Sequence, residues 1–138
     1  MHDATSTTQN LEELRFLGLS GLGLDDTEAE AVSEVLLTLS LLETCDLSDN
    51  QLTDESVRLI TGALLGARSP PELRRLDLSF NELTARCFPA LLQFLRDAVT
   101  LDAQLRAVSL AGNAGSFSPA QARRLQSASP MGCSLILP

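Results

Sequence analysis

The sequence predicts an α/β solenoid of about four strand–helix repeats, with a parallel sheet on the concave side and helices on the convex side. Four similar strings begin at residues 14, 42, 73 and 105. Segments with the apolar periodicity of a helix lie between them. The composition agrees, because 44% of the 138 residues are hydrophobic while Trp and Tyr are absent. Leucine must therefore fill the core that aromatic rings fill in most proteins.

The four strings share the pattern L-x-x-L-x-L-x-x-N-x-L. They read LRFLGLSGLGL (14–24), LETCDLSDNQL (42–52), LRRLDLSFNEL (73–83) and LRAVSLAGNAG (105–115). Leu22 replaces the asparagine, Cys45 and Val108 replace the second leucine, and Gly115 replaces the last leucine. Because side chains alternate along a strand, the leucines at positions one, four, six and eleven are expected to point into a common core.

A helix is predicted after each of the first three strings. The apolar residues at helical spacing are, in chain order, Ala29, Val32, Leu36 and Leu37; Val57, Ile60, Leu64 and Leu65; Phe88, Leu91, Leu92 and Leu95. Helix starts are indicated by capping-box spacing at Thr27 with Glu30 and at Ser118 with Gln121. No such unit can bury its apolar face alone, so the units must stack.

Asparagine follows the strand in three of the four strings, at Asn50, Asn81 and Asn113. An amide side chain donates and accepts hydrogen bonds, so each one can bridge backbone groups of its own turn and of the adjacent turn. The sequence therefore predicts a structural ladder of three asparagines along the solenoid.

These features together resemble the leucine-rich repeat family. The helix-bearing units of about 28–32 residues are similar to the ribonuclease-inhibitor-like subtype, which NOD-like receptor ectodomains and the tropomodulin tail share. The likeness covers residues 11–128 and is carried best by LSDNQLTDESVRLITGALL and LSFNELTARCFPALLQFL. It implies a scaffold that recognises proteins, and it names no partner because the family's partners are varied.

Both ends of the predicted solenoid depart from the repeat. Residues 1–10 are polar and are expected to form a tail before a leucine-rich repeat domain of residues 11–138. Residues 129–138 are expected to close the stack, with CSLILP as a final strand. The first strand should have an open edge, available to another copy, to a neighbouring domain or to a cover built from the tail.

The residues between the inward leucines are expected to face solvent on the concave side, where equivalent positions of neighbouring strands form columns. Asp46 and Asp77 should be neighbours that repel each other unless a cation or Arg75 lies close. Phe80 is either a contact anchor or packs against the loop above it. The candidate partner-binding residues are Phe16, Thr44, Asp46, Ser48, Arg75, Asp77, Ser79 and Phe80.

The sequence argues against an enzyme. The single histidine, His2, lies in the tail, so no cysteine or serine has a positioned base. Cys45, Cys87 and Cys133 are not at zinc spacing, and no phosphate-binding glycine loop is present. We therefore expect no catalytic residue, no metal and no cofactor.

Charge is divided along the chain, whose net charge is −8. Residues 1–66 carry thirteen acids and two arginines, while residues 67–138 carry five acids and eight arginines. An acidic chain disfavours nucleic acid and suits a protein partner with a basic patch. No apolar run is long enough to span a membrane. Three irregularly spaced cysteines indicate an intracellular protein, cytoplasmic or nuclear.

The predicted function is non-catalytic protein recognition by the concave strand face. One alternative is a structural or assembly unit that stacks through its N-terminal edge on another domain or another copy. A second alternative, inhibition of an enzyme, is implied only by the family resemblance.

Overall fold

A computed structural model describes residues 12–66 and 72–138. Within these ranges, five parallel strands form one sheet in chain order, and a helix follows each of the first four strands. The strands are β1 (Phe16–Gly18), β2 (Thr44–Asp46), β3 (Arg75–Asp77), β4 (Ala107–Ser109) and β5 (Ser134–Ile136). The helices are α1 (Asp26–Leu36), α2 (Asp54–Gly66), α3 (Phe88–Thr100) and α4 (Pro119–Ala128). The α/β solenoid that the sequence predicts is confirmed, while the predicted tail of residues 1–10 lies outside the described residues.

The register of the sheet follows the alignment of the four strings. Phe16 pairs with Thr44, Thr44 with Arg75, and Arg75 with Ala107. Equivalent positions therefore form columns across the sheet, and β5 continues the first column with Ser134. A slip of one residue would turn every inward leucine to solvent, so burial of one face fixes this register.

The core lies between the sheet and the helices. Cys45 and Val108, which replace leucines of the pattern, are both completely buried. Each fully buried leucine contributes roughly 1.5–3 kcal/mol of transfer free energy, so the repeated leucines dominate the stability of the fold. The largest fully buried side chains are Leu36, Leu47, Leu52, Ile60, Leu73, Leu76, Leu78, Leu83, Leu91, Leu95, Leu110 and Leu125.

The predicted start of α1 is wrong by two residues, because Asp25 and not Thr27 caps the helix. The Asp25 carboxylate accepts hydrogen bonds from the backbone N–H groups of Thr27 and Glu28, and Glu28 Oε1 accepts one from Asp25 N at 2.8 Å. Aspartate and threonine are both good N-caps, and spacing alone did not separate them. At α4 the Ser118–Gln121 capping box is confirmed.

A second set of polar bonds joins neighbouring units at the helix starts. Asp26 accepts hydrogen bonds from Thr53 N at 2.9 Å, from the Thr53 hydroxyl and from the Ser56 hydroxyl. Asp54 likewise accepts from Thr84 N at 2.8 Å and from the Thr84 hydroxyl. Partial burial opposes ionisation of Asp26, but the bonds from Ser56 and Thr53 outweigh it and lower its pKa.

Candidate protein-binding face

Three asparagines fix the turns that follow strands β2, β3 and β4 of the concave face. Asn81 Nδ2 donates to Leu47 O at 3.0 Å in the preceding unit and to Leu78 O at 3.1 Å in its own unit. Asn81 Oδ1 accepts from Leu52 N at 3.0 Å, and Asn113 Oδ1 accepts from Asn81 N at 3.1 Å. Each amide therefore holds its own turn and the preceding one at a fixed spacing.

The same pattern recurs in the second unit, but closer to solvent. Asn50 Oδ1 accepts from Leu22 N and Leu24 N at 3.1 and 2.9 Å, and Asn50 Nδ2 donates to Leu19 O at 2.9 Å. Every buried side-chain nitrogen or oxygen in the described part of the chain has a hydrogen-bond partner. The face is consequently presented on a rigid backbone.

Two phenylalanine rings are exposed beside this scaffold. Phe16 is 58% exposed and Phe80 is 61% exposed. Each ring covers a glycine, because a Cβ at Gly18 would lie 2.6 Å from Phe16 Cε2 and one at Gly112 would lie 2.4 Å from Phe80 Cδ1. Phe80 thus both contacts the adjacent loop and leaves most of its surface open to a partner.

Asp46 and Asp77 are register partners on adjacent strands. Asp46 Oδ1 accepts from Ser48 N at 3.0 Å and from Ser48 Oγ at 2.6 Å. Asp77 Oδ1 accepts from Ser79 N at 2.9 Å and from the Ser79 hydroxyl. In the described residues the second oxygen of each carboxylate accepts no hydrogen bond. This oxygen is therefore available to accept one from a partner.

Ser79 contradicts the expectation that it faces a partner. It is only 7% exposed, because it lies in a central unit with neighbours on both sides and its hydroxyl turns to Asp77. Ser48 remains partly exposed, and its hydroxyl also lies 3.0 Å from that of Ser20. Ser79 therefore supports Asp77 and is not itself accessible.

Arg75 is exposed in the middle of the face. In the part of the chain that the structure describes, it forms no ion pair, whereas its neighbour Arg74 lies 3.8 Å from Glu43 and Arg15 lies 2.7 Å from Glu43. Thr44, the register partner of Arg75, is half-buried beside it. The Arg75 guanidinium is thus free to contact a carboxylate or an aromatic ring of a partner.

The thiols do not provide a nucleophile. Burial, reinforced by the charge of Asp46, raises the pKa of Cys45 to about 12, and burial followed by the charge of Asp54 raises that of Cys87 to about 12. Burial also raises the pKa of Cys133. In residues 12–66 and 72–138, no group of three or more His, Cys, Asp or Glu is placed to hold a metal ion.

Short parallel strands, returning helices and an open sheet face are the architecture of a leucine-rich repeat solenoid. Residues 72–95 match the family profile described as Leucine Rich Repeat. None of the described helices has the length and apolarity that crossing a membrane requires.

A curated protein and a solved structure are among the known proteins that are similar to this chain. Tonsoku-like protein of Bos taurus is 41% identical over 86 residues, which is 60% of this chain and 6% of that protein. The solved structure of Leiomodin-1 Actin-Binding Site 2 has a TM-score of 0.69 at 13% identity, covering 99% of this chain and 80% of that one. The matches support the leucine-rich repeat family, and the structural likeness shows the fold alone.

Proposed function

We propose that this chain is a non-catalytic interaction module that recognises a protein partner through its concave face. The observation that supports it best is the pair of largely exposed rings, Phe16 and Phe80, together with Arg75, which lies in the same column as Phe16 and forms no ion pair with any described residue. Aromatic and arginine side chains dominate binding energy at protein interfaces. The backbone of a rigid sheet loses little conformational freedom on binding, which favours affinity.

We further propose that the partner carries a basic patch. Asp46, Asp77 and the exposed Asp49 lie along the face, and the whole N-terminal half is acidic. Complementary charge speeds association and excludes partners of the wrong sign more than it raises affinity. The same charge disfavours nucleic acid.

Two finer assignments remain proposals. The ribonuclease-inhibitor-like subtype, and with it inhibition of an enzyme, is supported only by resemblance. An intracellular site, cytoplasmic or nuclear, is supported by the three free cysteines, since thiols persist in reducing compartments. The Leiomodin-1 structure is that of an actin-binding site of that protein, and an identity of 13% gives no reason to propose actin as the partner of this chain.

Affinity capture with matched variants tests the concave-face proposal. Phe80→Ala and Arg75→Ala should each reduce recovery of the captured partner at least about tenfold, the loss expected for a contact hot spot. Met131→Ala and Arg123→Ala change similarly exposed side chains away from the face and should leave recovery unchanged. All four melting temperatures should match the original protein. Equal recovery with Phe80→Ala, Arg75→Ala and the two controls would refute the proposal.

A second candidate function, assembly through the N-terminal edge, is favoured by the apolar side chains of the first unit. Leu22 is 60% exposed, and Leu14, Leu17, Leu19 and Leu24 are only partly buried. A contiguous exposed apolar patch marks an interaction surface more often than isolated leucines do.

A further inference from the structure

Helices α3 and α4 border a groove on the convex side of the solenoid that has an excess of positive charge. Its volume is about 650 Å³. Arg96 of α3 lines one wall, and a single stripe of α4 lines the other: Ala120, Arg123, Arg124, Ser127 and Ala128. Successive members of the stripe recur at the three- and four-residue spacing of a helix, so they share one face of α4. We call this feature the α3–α4 groove.

Among the described residues, no acidic side chain neutralises the arginines of this groove. Arg96, Arg123 and Arg124 are all exposed, and none of them forms an ion pair with a described residue. Residues 103–138 contain three arginines and no Asp or Glu, so α4 and its flanking loops supply no carboxylate. Asp97, which follows Arg96 in the chain, lines the neighbouring groove between α2 and α3 instead. The α3–α4 groove therefore keeps its positive charge.

The groove between α2 and α3 provides a comparison within the same fold. Its charged lining residues are three acids and two arginines: Asp54, Glu55, Asp97, Arg58 and Arg86. Arg58 is paired there with Glu55. Two grooves between neighbouring helices thus differ in charge, so the repeat architecture itself does not require the arginines of the α3–α4 groove.

Arg124 is oriented by an aromatic ring and not by a carboxylate. Its Cζ atom lies 5.2 Å from the centroid of the Phe88 ring, and Phe88 is buried at 8% exposure. An arginine stacked over a ring keeps the N–H groups at its edge free to donate hydrogen bonds. A carboxylate can accept two such bonds in parallel. Because the contact with Phe88 already restricts the Arg124 side chain, less conformational freedom is lost when an anion binds.

The α3–α4 groove continues into a wider, partly apolar depression near the C-terminal ends of the two helices. This depression, of about 980 Å³, shares Arg96 and Ala128 with the groove. Val99 lines it and is 55% exposed. Its remaining charged lining residues, Asp102 and Arg106, have opposite signs. A ligand that extends out of the groove therefore passes from a cationic surface to one that offers apolar contact.

We propose that the α3–α4 groove binds an acidic segment of a partner protein. Carboxylates of the segment pair with Arg96, Arg123 and Arg124, and an apolar side chain beyond them packs on Val99. Charge complementarity selects this occupant, because three arginines and no acid line the groove. The stripe on α4 is about 12 Å long, which about four residues of an extended chain or two turns of a helix cover.

Nucleic acid suits the groove less well than an acidic segment does. Its binding depends on cations that follow the phosphate backbone, whereas these three arginines are confined to about 12 Å of a chain whose net charge is −8.

The groove is also separate from the concave face of the proposed function, because it lies between helices and not on the strands. The concave face favours a basic partner and the α3–α4 groove an acidic one. The two surfaces can therefore be tested independently.

Amide chemical shifts of the isotope-labelled chain, titrated with synthetic peptides, test the site. The probes are peptides of about twelve residues built from Glu and Leu, with Glu at alternate positions in one and at i, i+4 positions in the other. Matched peptides carry Gln in place of Glu. We expect a Glu peptide to bind with a dissociation constant of about 10–500 μM at low salt, at least about tenfold more tightly than its Gln counterpart. The shifts should change at residues 96–106 and 120–128 and not at residues 44–46.

Arg96→Ala and Arg123→Ala are the test variants, because both side chains are exposed and their loss should leave the melting temperature nearly unchanged. Each should weaken binding of the Glu peptide at least about threefold, and the two together at least about tenfold. Arg58→Ala is the matched control, since Arg58 is an exposed helical arginine outside the groove, and it should change binding less than about twofold. Arg123→Ala is also a control for the concave face, so this variant separates the two surfaces.

Three results would overturn the proposal. The first is that neither Glu peptide binds at concentrations up to about 1 mM. The second is that Arg58→Ala weakens binding as much as Arg96→Ala does. The third is that an oligothymidine of about twelve nucleotides binds the same residues more tightly than the Glu peptides, which would assign the groove to nucleic acid. Each result would leave partner capture through Phe80 unaffected, so the two proposals fail separately.

Discussion

Replacing Asn81 with alanine should cost more stability than the same change at Asn50. Its side chain is 8% exposed and makes four hydrogen bonds, to one backbone N–H and three carbonyls, at 3.0–3.2 Å. Alanine leaves Leu52 N without its partner, whereas Leu47 O, Leu78 O and Ser79 O each keep one hydrogen bond, from Asn50 Nδ2, Asn113 Nδ2 and Asp49 N. An unsatisfied buried group costs about 1–3 kcal/mol, and each further hydrogen bond lost costs about 0.5–1.5 kcal/mol at most. We expect a loss of about 2–4 kcal/mol from a total that is about 5–15 kcal/mol for a domain.

Asn50 provides the control within the same chain. It makes five similar bonds, but four of them are partly exposed, and three of these four are to the first unit, which has no neighbour on its outer side among the described residues. Water can replace the lost partner there, so Asn50→Ala should cost only about 1–2 kcal/mol. Urea unfolding followed by far-ultraviolet circular dichroism measures both, since the chain has no tryptophan. A loss below about 1 kcal/mol for Asn81→Ala, or a larger loss at Asn50, would refute this account of the ladder.

Three further predictions concern single sites. Because the pKa of Asp26 is lowered in the folded state, its hydrogen-bonded carboxylate stabilises the fold above pH 3.8, and this contribution is lost as the pH falls below the pKa of the folded state. Asp26→Asn should therefore lower the urea midpoint at pH 7 and make little difference near pH 2. Gly115→Ala should destabilise the protein by about 2–3 kcal/mol, because the new Cβ would lie 2.3 Å from the Cα of Thr84. Gly62→Ala has open space around it and should stabilise α2 by up to about 1 kcal/mol in the same urea assay. With pKa values raised to about 12, Cys45 and Cys87 should resist Ellman's reagent at pH 8 until urea is added; rapid labelling of either thiol in the native protein would contradict their burial.

The fold was predictable because each of the four repeats independently indicates the same strand register and the same buried positions. Four aligned strings set the strand register, and the alternation within each string set which side chains are buried. The order of the strands followed from stacking, since each unit needs its sequence neighbour to cover its apolar face. Replacements such as Cys45 fit the same rule, because a small apolar side chain can fill a leucine position.

The wrong N-cap of α1 and the unpredicted hydrogen bonds of Asp26 have one physical cause: several polar residues can satisfy the same local requirement. Either Asp25 or Thr27 can cap a helix, and the choice depended on where the chain leaves the preceding turn. The bonds from Asp26 to the next unit join residues 27 and 30 positions apart. Their sequence signal is the pair Thr53-Asp54 at the start of α2, in which Thr53 donates to Asp26 of the preceding unit and Asp54 accepts from Thr84 of the next unit.

The departures from the repeat support the proposed binding sites better than the repeat itself does. At the bend after each of the first four strands the backbone is left-handed, with φ of 72° at Gly21, 56° at Asp49, 56° at Phe80 and 73° at Gly112. Glycine or aspartate adopts this conformation readily, whereas a bulky ring there costs stability, of the order of 1–2 kcal/mol. Phe80 recovers part of that cost by covering Gly112, yet most of the ring stays in water, so its position serves folding poorly. Phe80 and Leu22 therefore have the same implication: each is a large apolar side chain that the described residues leave largely exposed, at a position where a smaller or polar residue suits the isolated fold better, which supports the proposal that a second molecule covers them.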